Sequence, residues 1–95
     1  MTVDEAIALL TERKRNLRRS ELEGLLSGFE FRVHAGNRGN HRTYTHAGLA
    51  PFGFYGGRFD GGHGTDAEIK LPYVLDVIKT LRKYRAELKS LRGEK

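Results

Sequence analysis

With 95 residues and no cysteine, the chain has room for one modest core and no thiols for a disulfide framework or a thiolate metal site. Its 17 Lys and Arg against 12 Asp and Glu leave a net charge of +5 and a pI near 9.8; that balance suits a polyanionic partner and equally fits a basic domain with charged helix faces. No apolar run approaches the roughly 18 residues that cross a bilayer, and Met1 to Leu10 carry two acids and no base, so a soluble, cytoplasmic, single-domain protein is expected.

Thr2 and Glu5 have capping-box spacing, which predicts a first helix with Val3, Ile7 and Leu10 on its apolar side, running to about Asn16. Ser20 and Glu23 repeat the spacing and predict a second, short helix that presents Leu22, Leu25 and Leu26 and stops at Gly28. From Phe29 the period becomes two: Phe29, Phe31 and Val33 alternate with Glu30, Arg32 and His34, as in a strand buried on one face. Ala35 to Asn40 is a turn, and His41 to His46 is a second strand, so the two form a hairpin. Ala47 to Gly53, with Pro51, is a loop. Phe54, Tyr55 and Phe59 then predict a third strand weakened by Gly56 and Gly57. Asp60 to Asp66 is glycine-rich, holds His63 and is expected to be mobile. Beyond Pro72 the apolar series Val74, Val77, Leu81, Tyr84, Leu88 and Leu91, widened by Leu75 and Ile78, predicts one continuous amphipathic helix of about five turns. Lys79, Arg82, Lys83, Arg85, Lys89 and Arg92 fall outside that stripe. The predicted fold class is α+β: a three-stranded antiparallel sheet with helices on one face, the other face open to solvent or a ligand.

The most informative stretch is Gly39-Asn40-His41-Arg42-Thr43-Tyr44. It resembles the Gly-Ser-His-x-x-Tyr signature of the HicA toxins, endoribonucleases of toxin–antitoxin systems with a small fold like that of double-stranded-RNA-binding domains. The resemblance runs from about Arg19 to Leu81. It includes Glu21, Leu22 and Leu25 of the short helix, the Gly28-Phe29 step into a strand, and Glu68-Ile69-Lys70 before the last helix. The resemblance implies that His41 is the catalytic histidine of an mRNA interferase, that Gly39 and Tyr44 match the residues around it, and that His63 matches a histidine before the last helix. Asn40 stands where the family has serine; an asparagine amide also bonds to backbone or phosphate. It further implies a HicB-like antitoxin as protein partner and a division into a core of residues 18–81 with helical extensions at 1–17 and 82–95.

The chemistry suits these residue types. RNA carries its own nucleophile in the 2′-hydroxyl, so cleavage needs proton transfer and stabilisation of the charged phosphorane, with no cofactor. Free imidazole titrates near pH 6.5 and exchanges protons near neutrality. Arg38, Arg42 and Arg58 are the nearby cations to hold phosphate, and Tyr55 is the aromatic best suited to stack on an unpaired base, Phe54 and Phe59 being assigned to the core. A zinc site is not favoured, because His41 and His46 fall on opposite strand faces. The glycines at 36 and 39 do not make a phosphate loop, since no GK[ST] or helix follows. Two other functions fit the composition: RNA binding without cleavage, and a protein-binding adaptor. The terminal extensions either pack on each other or mediate self-association.

Overall fold

The fold was obtained as a computed structural model, which describes residues 1–36 and 39–94. Among these lie α1 (Val3–Arg13), α2 (Arg19–Gly28), β1 (Arg32–Ala35), β2 (His41–Thr45), a 3-10 turn (Ala50–Phe52), β3 (Gly57–Asp60), α3 (Leu71–Lys83) and α4 (Arg85–Arg92). They form a compact α+β domain with a three-stranded antiparallel sheet in the order β1-β2-β3. None of the described helices is long and apolar enough to cross a membrane.

The capping box of α1 forms as its spacing predicts: Glu5 N–H donates to Thr2 Oγ1 at 3.1 Å and Thr2 N–H to Glu5 Oε1 at 2.8 Å. The helix ends at Arg13, short of Asn16, because the Arg13 guanidinium is drawn into the following turn. It binds Asn16 Oδ1 at 3.1 Å and both Glu21 oxygens at 2.6 and 2.9 Å.

The start of α2 differs from the predicted Ser20–Glu23 box. Arg18 is the N-cap, and its N–H donates to Glu21 Oε1 at 3.0 Å. Ser20 lies inside the helix and gives its N–H and hydroxyl to Asp66, at 2.8 and 2.9 Å. The cause is a remote segment: Arg18 pairs with Glu68, and Ile69 N–H reaches Leu17 O at 2.8 Å, which moves the helix start upstream. At the other end Gly28 stays helical. The left-handed residue is Glu30 (φ 69°), with the Glu30 and Phe31 N–H groups bonded to Ser27 O and Leu26 O in a Schellman arrangement.

Asp66 therefore caps α2 from 46 residues away. The Ser20 N–H and then its hydroxyl hold the Asp66 carboxyl below the usual carboxylate range. A depressed folded-state value means stability that is present above about pH 4 and lost as pH falls through the folded-state value. Asp66→Asn is expected to lower the melting temperature by a few degrees at pH 7, with the difference shrinking below pH 4. Thermal unfolding followed by circular dichroism at pH 7 and pH 3 checks this; equal deficits at both would remove the carboxylate from the argument.

The core lies between the sheet and the helices. Leu10, Leu22, Leu26, Leu81 and Leu88 are fully buried, each contributing about 1.5–3 kcal/mol of transfer free energy. Phe54 and Phe59 are also buried, as assigned from sequence. Phe31, Tyr44, Phe54 and Tyr84 form a chain of aromatic contacts with ring centroids 5.6 to 6.0 Å apart. His46 joins it: its ring meets Phe31 at 4.8 Å, Nδ1 accepts from Gly48 N–H at 3.1 Å, and Nε2–H donates to Phe29 O at 3.0 Å.

The single long C-terminal helix expected from the periodicity is instead two. The chain breaks at Tyr84 (φ −106°, ψ 23°), whose buried ring packs edge-on against Phe54, while α4 packs on α1. Asp4 takes hydrogen bonds from Arg85 at 2.5 and 2.8 Å and from Lys89 at 2.6 Å. Val3 N–H binds Glu94 at 3.2 Å, and Arg92 reaches Met1 O at 2.8 Å. Leu75 and Leu91 stay exposed.

Candidate nucleic-acid interface

Strand alternation divides the sheet residues between two faces. Val33, Ala35, Arg42, Tyr44, Gly57 and Phe59 share the core side. The opposite side has rows set by the register: Arg32 beside Thr45, His34 beside Thr43 and Arg58, and His41 beside Asp60. On that side Arg32, His34, His41, Thr43 and Arg58 are all exposed.

His41 opens β2, and its surroundings keep the ring clear. Gly36 N–H bonds to His41 O at 2.8 Å, and a Cβ on Gly36 would stand 3.1 Å from His41 Cβ, so a larger residue there would crowd the imidazole. His41, Arg42, Thr43, Arg58, Phe59, Tyr73 and Asp76 line a cleft of about 580 Å³. Among the described residues no side chain hydrogen-bonds to the His41 ring, and no group of three or more His, Cys, Asp or Glu residues gathers.

The other site candidates separate into two sets. Asn40 and His63 come together beside His41: Asn40 Nδ2 lies 3.5 Å from His63 Nδ1, and Gly61 N–H bonds to Asn40 O at 2.5 Å. The glycine-rich segment, expected to be mobile, is tied to β2 by that bond and to α2 through Asp66. Gly39 is exposed with φ +46°, in the region that favours glycine. Arg58 is exposed and makes no hydrogen bond or ion pair with any described residue.

Arg42 is placed differently. It faces the core side, half-buried, with Nε on Glu23 at 3.2 Å and Nη1 on the carbonyls of Gly39 and His41 at 2.9 and 3.1 Å. These bonds brace the backbone that carries His41. Tyr44 is 1% exposed and belongs to the core; burial pushes its phenol up. Tyr55 is 84% exposed and stands away from His41, on a neighbouring depression. Arg38 lies outside the described residues.

Sequence reasoning did not single out Asp60, His34, Arg32, Tyr73, Asp76 or Lys79. The first three were within reach through parity: once Val33 and Phe59 face inward, their strand neighbours Arg32, His34 and Asp60 face outward. Tyr73 and Asp76 enter the cleft only because α3 flanks β3, which no local pattern announces.

Comparison of the chain with protein-family models, with curated proteins and with solved structures gives no match.

Proposed function

We propose that the chain is a HicA-like toxin: a metal-independent endoribonuclease that cuts mRNA with His41, on a fold of double-stranded-RNA-binding type, and that a HicB-like antitoxin neutralises it by covering the basic face. The observation that carries the reading is an exposed histidine at the head of β2 within the His-x-x-Tyr pattern, on an uncovered sheet face with Arg58 one row away. The order α2-β1-β2-β3-α3 agrees with the fold that the resemblance implies.

In this mechanism His41 takes the proton of a ribose 2′-hydroxyl. The 2′-oxygen then bonds to the adjacent phosphorus, the bond from phosphorus to the 5′-oxygen breaks, and the leaving oxygen takes a proton from the imidazolium or from water. Arg58 faces the phosphorane charge, while Arg42 acts as a positioning residue through its bonds to Gly39 and His41. Asn40 and His63 flank the same corner and contact the RNA backbone.

The products provide the test. Purified chain incubated with RNA and a chelator is expected to release fragments ending in a 2′,3′-cyclic phosphate, and a 2′-O-methyl group at the cut position should block the cut. Fragments ending in 3′-hydroxyl, or a strict need for divalent metal, would overturn it. RNA binding without cleavage is the second reading, favoured by the lack of any described side chain that orients the His41 ring. In the same assay it appears as a retarded complex with intact RNA.

A further inference from the structure

The His41 cleft is one end of a longer track. Thr43, Arg58 and Asp76 line both that cleft and a second depression of about 700 Å³, which reaches Tyr55 and Lys79. Tyr55, Gly56, Lys79 and Thr80 are shared in turn with a third depression, of about 350 Å³, that ends at Lys83 and Tyr84. The first two follow the boundary between β3 and α3, and the third continues along residues 53–56, ahead of β3, beside the end of α3. Arg58, Lys79 and Lys83 succeed one another along the track, all exposed, against the one acid Asp76.

Tyr55 stands where the second and third depressions meet. Phe54 is buried while the next residue, Tyr55, is exposed, and Gly56 (φ +138°) follows in a conformation only glycine adopts with ease. An almost bare phenol between spaced cations is the combination that binds single-stranded nucleic acid: aromatic rings stack on bases, and cations follow the phosphates. A paired base inside a helix has no free face for such a ring.

On the reading that this chain acts on RNA, we propose that its substrate is single-stranded: Tyr55 stacks one unpaired base while Arg58, Lys79 and Lys83 carry the backbone toward His41. The preference for an unpaired strand comes from Tyr55, and the sheet face alone does not provide it.

The test uses the full chain with His41→Ala, so that RNA survives, and measures binding of a short fluorescent RNA and of the same RNA annealed to its complement. The single strand is expected to bind more tightly. Tyr55→Ala should weaken it roughly 5- to 150-fold, with Tyr55→Phe close to the parent. Lys79→Ala with Lys83→Ala should flatten the salt dependence by about 0.7 of a log unit per lost phosphate contact. Tyr55→Trp supplies the only tryptophan of the chain, and stacking should quench it. Equal or tighter duplex binding, or Tyr55→Ala without effect in a variant with unchanged circular dichroism, would overturn the track, as would failure to bind RNA while binding an acidic protein. A chain that binds single strands through Tyr55 yet never cuts them would leave the track standing and bring down the nuclease.

Discussion

His41→Ala is expected to cut the rate of RNA cleavage by about 10²- to 10⁴-fold, the range contributed by one well-placed acid–base group, and to abolish growth arrest on expression. The loss should fall on the chemical step. Arg58 and Arg32 keep their places on the open face, so RNA affinity should change little and stay steeply dependent on salt. The fold should also hold, because the ring is exposed and unbonded among the described residues; surface changes of this kind stay within about 0.5 kcal/mol. Single-turnover cleavage, fluorescence binding and thermal unfolding on the same preparations separate the three quantities. Cleavage that survives the substitution removes His41 from the reaction.

The largest effect on stability is expected from Gly57→Val. Gly57 faces Tyr44 across the β2–β3 ladder, and a Cβ at Gly57 would fall among the ring atoms Cζ and Oη of Tyr44. Tyr44 is fully buried between Phe31, Phe54 and Phe59, so the ring has nowhere to move without dislodging those neighbours. Overpacking of this kind costs about 3 kcal/mol or more, a large share of the roughly 5–15 kcal/mol that keeps a domain folded. Urea unfolding should show a lower midpoint with unchanged slope. Tyr44→Leu, destabilising alone, should cost much less in the Gly57→Val background, because the clash goes with the ring. Additive losses would show that the two residues do not meet.

The sheet was legible because its signals are local. Alternation at Phe29, Phe31 and Val33, the turn residues before His41 and the inward Phe59 place the strands in the right order, although β1 is shorter than the alternation suggests. What failed depended on contacts between distant segments. Ser20 has the chemistry of an N-cap, but an antiparallel bridge from Arg18 to Glu68 decides where α2 starts. The helix break at Tyr84 follows from Phe54 and α1, while each half keeps a helical period of its own. Arg42 teaches the opposite lesson. Its charge suggested a phosphate contact, whereas the register puts it on the core side with Tyr44, and Glu23 supplies its partner there. The site was half-visible for the same reasons: His41 and its strand are local, whereas Tyr73, Asp76 and Lys79 reach the cleft and its extension through tertiary packing.

The pairing of α1 with α4 has a kinetic side. Asp4 meets Arg85 across 81 residues and Val3 meets Glu94 across 91, so these contacts close long loops. Loop-closure entropy rises with the logarithm of length, and α1 leaves the ribosome long before the residues it docks on. Val3, Ala6 and Leu10 then wait in water until α3 and α4 are made, so the core closes only after α4 has followed α3.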